Sequence, residues 1–117
     1  MAATSNPSAL RRNFITIDGA YGRRQVHFRR GGTGPVVLLL HQSPQSSREM
    51  EPLIAAWGRQ FTLIAPDSPG YGLSTPLLKD GQPVAAASID DFARATLEFT
   101  AALGLGRFAI YGFHTGA

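Results

Sequence analysis

The spacing of apolar and polar residues changes along this chain, and the change divides it. Near the front the pattern is that of half-buried strands. Phe14-Ile15-Thr16-Ile17 is rich in β-forming residues and runs into Asp18-Gly19, a turn signal. After a second break at Tyr21-Gly22, Val26 and Phe28 alternate with Gln25, His27 and Arg29. The two stretches predict an antiparallel hairpin with polar residues on one face. From Val36 the alternation stops. Val36–Leu40 and Phe61–Ala65 are unbroken apolar runs, which suit strands covered on both faces, as in a parallel sheet. Phe108-Ala109-Ile110-Tyr111 is a short final strand of the same kind.

Between these runs the period is helical. Met50, Leu53, Ile54 and Trp57 fall at i, i+3, i+4 and i+7. Ser46 and Glu49 have the spacing of a capping box. Pro52 is tolerated only in a first helical turn, so an irregular turn from Ser46 and a regular helix from about Glu51 are expected. Ser88 and Asp91 repeat the capping-box spacing. Ile89, Phe92, Ala93, Thr96, Leu97, Thr100 and Leu103 then form one apolar stripe, closed by Gly104. The order is hairpin, strand, helix, strand, helix, strand. That alternation predicts an α/β architecture with right-handed parallel crossovers, a mostly parallel sheet and an antiparallel hairpin at its front. Residues 1–13 are expected to form a flexible lead-in and residues 14–117 the domain, with no internal repeat.

Composition narrows the classes. The chain has 117 residues, 44% of them hydrophobic and 16% charged, enough for one small core and unlike a disordered chain. There is no cysteine, which excludes disulfides and thiolate chemistry. The net charge of +3 owes much to three pairs, Arg11–Arg12, Arg23–Arg24 and Arg29–Arg30. They flank the hairpin, where solvated arginines are the expectation, so no nucleic acid is expected as a partner. The longest aliphatic run, Val36–Leu40, is far short of the roughly 20 residues that span a bilayer, and the first ten residues lack the apolar stretch of a signal peptide. No membrane association and a cytoplasmic location are the expectations.

Two loops carry candidate chemistry because of their place. Ligand sites in open α/β sheets lie at the carboxyl ends of strands. His41-Gln42-Ser43-Pro44 and Gly112-Phe113-His114-Thr115-Gly116 both follow strands. The second has the glycine spacing of a nucleophile elbow, G-x-S-x-G, in which a strand turns sharply into a helix and the central side chain projects above the sheet. An ordinary strand-to-helix turn would carry similar glycines.

From about residue 14 to 117 the chain resembles the α/β-hydrolase superfamily. The matching features are the hairpin, His41-x-x-Pro44 after a strand, the two helices, Gly112-x-x-x-Gly116 and, most specifically, Asp67-Ser68-Pro69-Gly70-Tyr71-Gly72-Leu73-Ser74. The resemblance implies a spatial strand order 1-2-4-3-5, helices on both faces of the sheet and a catalytic role at the elbow for His114. It implies oxyanion donors from the backbone N–H groups of Ser43 and Thr115, which need no particular side chain. Asp67 and Ser74 are expected to shape their loop. Three departures stand out. Gln42 occupies the usual glycine position, so its side chain becomes a candidate for the substrate pocket. His114 occupies the place of the usual Ser, Cys or Asp, with nucleophile, acid/base and inert roles all open to it. The chain also ends before the family's acid and general-base positions. The domain is therefore expected to be the incomplete N-terminal half of the fold, partnered by a missing C-terminal half. The implied activity is hydrolysis of a small-molecule substrate at an ester, amide, C–C or C–halogen bond. The alternative is a non-catalytic pseudoenzyme or gene fragment that binds a partner. No cofactor is implied, since Gly31-Gly32-Thr33-Gly34 precedes a strand rather than opening a helix, and no metal site, since His41 and His114 without a carboxylate in range make a thin ligand set.

Overall fold

The computed structural model describes residues 10–84, 87–112 and 116. Strand β1 (Arg11–Gly19) pairs antiparallel with β2 (Gly22–Gly32), from Arg11 opposite Arg30 to Gly19 opposite Gly22. The strand thus begins three residues before Phe14, the boundary expected from the sequence. The reason lies in the partner. β2 continues to Gly32 because its far end also pairs with β4, and that extended edge gives Arg11–Asn13 a ladder to join.

Strand β3 (Val36–Leu40) is followed by a 3-10 turn (Ser47–Met50), helix α1 (Glu51–Trp57) and strand β4 (Thr62–Pro66). A two-residue pair, β5 (Leu78–Lys79) and β6 (Gln82–Pro83), forms a separate small hairpin. Helix α2 (Ile89–Ala102) then leads to β7 (Ala109–Gly112). The main sheet has the order β1-β2-β4-β3-β7, which is the order 1-2-4-3-5 expected for its five strands. β3, β4 and β7 are parallel, and β4 meets β2 antiparallel.

Because successive strand residues face opposite ways, the central strands build two cores. Leu38 and Ile64 join Ile17, Val26, Phe28 and Phe99 on the α2 face. Leu39, Leu63 and Ala65 join Met50 and Ile54 on the α1 face. Helix α2 is held to the hairpin by buried Arg24, whose guanidinium donates to the Ala95 carbonyl at 2.9 Å and pairs with Glu98 at 3.2 Å.

The two capping signals end differently. Ser88 and Asp91 form the full box, the Ser88 hydroxyl accepting from the Asp91 amide and the Asp91 carboxylate from the Ser88 amide. Ser88→Ala should lower stability by about 1 kcal/mol, or a thermal midpoint lower by roughly 5 °C, measured by circular dichroism. Ser46 does accept from the Arg48 amide, but Glu49 turns away to Gln42, so the first box stays half formed.

The apolar stripe of α2 is only partly covered. Its buried side chains are Ala95, Phe99 and Thr100, whereas Ile89 and Leu97 are 68% and 66% exposed. At 100° per residue, the Ala95–Phe99 face lies roughly 100° round the helix from the centre of the stripe. α2 therefore presents a wide apolar surface, of which Ala95, Phe99, Thr100 and Leu103 meet the core while Ile89 and Leu97 stay exposed.

Candidate functional site

The first candidate loop leaves the sheet at Leu40, directly opposite Gly112 in the β3–β7 ladder. Buried His41 fastens it. The His41 Nδ1 lies 2.8 Å from the Gln42 carbonyl oxygen, and Nε2 accepts from the Ser68 amide at 2.9 Å. Those two bonds select the tautomer protonated on Nδ1 and occupy both ring nitrogens. Gln42 is held by Glu49, which accepts from the Gln42 backbone amide at 3.0 Å and from its side-chain amide at 2.7 Å. Ser43 precedes a cis peptide to Pro44, and its hydroxyl lies 2.8 Å from the Tyr71 hydroxyl.

The neighbouring loop, from Pro66 to Thr75, is organised by Asp67. One carboxylate oxygen accepts from the Ser47 amide at 2.7 Å. The other accepts from the Leu73 amide at 2.9 Å and lies 2.7 Å from His27 Nδ1. His27 Nε2 accepts from Arg12 Nε at 3.2 Å, so its proton sits on Nδ1, toward Asp67. The backbone of Asp67 adds to this: its amide donates to the His27 carbonyl, and its carbonyl accepts from the Ser74 hydroxyl. Burial pushes the Asp67 carboxyl up, but hydrogen bonds from Ser47, the Leu73 amide and His27 outweigh it and hold the group below the usual carboxylate range. Gly72 adopts φ +53°, and a side-chain carbon there would overlap the Asp67 carboxylate. The glycine thus lets the loop fold back onto its own acid. Asp67 and Ser74 are loop-forming residues in this geometry, and the loop presents Ser68 and Tyr71 toward His41 and Ser43.

A cleft of about 440 Å3 opens beside these loops, between α2 and the sheet. Its upper end is polar, with His41, Ser43, Ser68 and Tyr71, and Gly116 stands there too. Its length is apolar, with Leu38, Leu40 and Ile110 on the sheet side and Ile89, Phe92 and Leu97 on α2. A side-chain carbon on Gly116 would overlap the Leu40 carbonyl oxygen and crowd that of His41, so only glycine brings the chain this close to the end of β3.

Of the residues singled out in the sequence, Ser43 lines this cleft, while Gln42 is turned to Glu49. His114 and Thr115 lie outside the described residues. Gly112 and Gly116, two positions either side of His114, both lie beside the end of β3. The Asp67–His27 pair, 40 residues apart in sequence, was missed by sequence reasoning, since neither the spacing nor the strand alternation at His27 signals a partner. Among the described residues no three His, Asp or Glu side chains gather as a metal site, and no helix is long and apolar enough to cross a membrane.

Comparison with known proteins agrees with this architecture. The family described as alpha/beta hydrolase fold matches residues 35–116. Haloalkane dehalogenase 2 of Mycobacterium tuberculosis is 37% identical over 96 residues, covering 82% of this chain and 31% of that protein. The 2-(acetamidomethylene)succinate hydrolase of Mesorhizobium japonicum is 30% identical over 105 residues, covering 90% and 36%. Among solved structures, the epoxide hydrolase CorEH superposes with a TM-score of 0.77 at 29% identity, covering 92% of this chain and 35% of its own. The chain thus spans about a third of the length of the relatives it matches. With the sheet order, the two loops at the ends of β3 and β7, and these matches together, the chain belongs to the α/β-hydrolase fold family.

Proposed function

We propose that this chain supplies the front of the active site of a hydrolase that cleaves an ester, amide, C–C or C–halogen bond in a small molecule. The observation that carries the reading is the pairing of Leu40 with Gly112. It starts the His41–Pro44 loop and the Gly112–Gly116 segment side by side at the carboxyl ends of parallel strands, where α/β folds place their chemistry. In this reading His114 stands at the elbow, and the backbone N–H groups of Ser43 and Thr115 receive the developing oxyanion. The polar end of the cleft, with Ser43, Ser68 and Tyr71, takes the reacting group. Gln42 shapes that end through Glu49. The similarity to a haloalkane dehalogenase and an epoxide hydrolase supports hydrolysis over other chemistries.

One observation favours a second, non-catalytic reading. Both described histidines have each ring nitrogen engaged, and Asp67 is filled with donors. None of them is free to act as general base or to orient one. An acid and a base must therefore come from polypeptide outside residues 10–112 if the site is to turn over. The 117-residue chain by itself should hydrolyse 4-nitrophenyl acetate no faster than free imidazole at equal concentration. Saturable turnover that vanishes in His114→Ala would show that the chain needs no added acid or base. The hydrolase reading is tested by joining the chain to the C-terminal portion of an α/β-hydrolase domain and assaying esters, amides and haloalkanes. Absence of turnover on all three classes, in a folded protein, would favour the partner-binding reading.

A further inference from the structure

We propose that the open edge of β1 is a docking surface for a second copy of this chain, joined antiparallel about a two-fold axis at Ile15. β1 ends the sheet order, so only one of its sides is paired. The bonds made by β2 show which backbone groups are left over. Gln25 and His27 turn theirs away from β1. The Gln25 amide donates to the Thr75 hydroxyl, and its carbonyl accepts from the Thr75 amide. The His27 amide donates to the Ser74 hydroxyl, and its carbonyl accepts from the Asp67 amide. Peptide groups alternate sides along an antiparallel strand, so Arg24, Val26, Phe28 and Arg30 are the residues that bond to β1. Their opposites are Ile17, Ile15, Asn13 and Arg11. The N–H and C=O groups of Arg12, Phe14, Thr16 and Asp18 therefore point off the edge of the sheet. Native sheets blunt such an edge with proline, a bulge or lysines. β1 uses none of these: its register is unbroken from Arg11 to Gly19, and no proline or lysine falls within it.

The charges of β1 are instead opposite in sign at its two ends. With Ile15 facing the partner's Ile15, Arg12 stands opposite the partner's Asp18 and Phe14 opposite the partner's Thr16, and the two-fold axis repeats both pairs. Every outward N–H and C=O of these residues then finds a partner. A shift of two residues either way separates Arg12 from the partner's Asp18, and a parallel arrangement in register sets like charges side by side. Arg12 lacks such a partner within its own chain. It stands opposite Arg29 in β2, a like-charge pair. Arg29 has Glu51 at 2.8 Å, whereas Arg12 spends its Nε on His27 and, among the described residues, has no carboxylate within ion-pair distance. Asp18 holds Arg23 on one side at 3.0 Å, and its other side faces the edge. The joint sheet would thus carry a row of Arg23, Asp18 and the partner's Arg12, alternating in sign. Phe14, 52% exposed, would lie diagonal to the partner's Phe14, a separation that aromatic side chains bridge.

The test is sedimentation velocity on the full 117-residue chain, which should show a reversible monomer–dimer equilibrium with a Kd in the micromolar range, as suits a small interface. Arg12→Glu and Asp18→Arg should each weaken dimerisation at least about tenfold, because each sets like charges together twice across the axis. Mixed in equal amounts, the two variants should recover the parent affinity within about threefold, since a mixed dimer restores opposite charges at both positions. Thr16→Pro removes an outward amide, so it should abolish the dimer while far-UV circular dichroism and the thermal midpoint stay native. A chain that stays monomeric well above micromolar concentration would overturn the proposal. Association unchanged in both charge variants would place the contact elsewhere, at β7 or the apolar cleft, and would also overturn it. So would a mixture that dimerises no better than either variant alone, or a dimer that forms only after residues 1–9 are removed.

Discussion

Asp67→Ala should cost about 3–5 kcal/mol of stability, enough to leave much of the protein unfolded near room temperature. The carboxylate accepts from the Ser47 amide, the Leu73 amide and His27, all in a buried setting. Each donor left unpaired costs about 1–3 kcal/mol, and together they join the 3-10 turn, the Pro66–Thr75 loop and the hairpin. Asp67→Asn keeps one acceptor and the shape of the side chain, so its loss should be about half as large. The measurement is urea unfolding followed by far-UV circular dichroism. The same residue gives a pH dependence whose sign follows from its lowered value. In the unfolded chain the carboxyl titrates at roughly 3.9. In the folded protein it is held below the usual range. Its contribution is therefore complete above the unfolded value and is lost as the pH falls through the folded one. Asp67→Asn should remove this part of the acid limb. An unchanged unfolding midpoint in Asp67→Ala would show that the network carries no net stability.

His114→Ala should lower kcat by about 10^2–10^4 in a protein that joins this chain to a competent C-terminal half, with KM little changed. The prediction rests on position. Gly112 and Gly116 flank His114 and both lie at the end of β3, beside the loop that carries Ser43. A group used only in the transition state lowers kcat and kcat/KM together, whereas one that merely helps fill the cleft raises KM. His114→Ser separates the chemical roles. Recovery of turnover on activated esters would mean that the remaining machinery supports an ordinary hydroxyl nucleophile. Full activity in His114→Ala would show that the elbow is inert.

Much of the fold was legible because local rules and global packing agree. The hairpin followed from Asp18-Gly19 and the alternation at Val26 and Phe28, and the parallel strands from the unbroken runs at Val36 and Phe61. The start of α1 followed from Pro52, and the start of α2 from Ser88 and Asp91. The two loops beside the cleft were placed by the same reasoning, since a strand's carboxyl end is a sequence position as well as a place. Other features depended on residues far apart along the chain. Glu49 has the spacing to cap its own turn but serves Gln42, because the end of β3 brings that amide within reach. His27 and Asp67 meet only after β2 and β4 pair. Arg11–Asn13 enter β1 only because β2 is long enough to receive them. The stripe from Ile89 to Leu103 was legible as apolar, but which part of it meets the sheet was not. Periodicity records which residues avoid water. What covers them is decided when helix, sheet and any further neighbour compete for the same surface, and here the sheet took Ala95 and Phe99 and left Ile89 and Leu97 to the cleft.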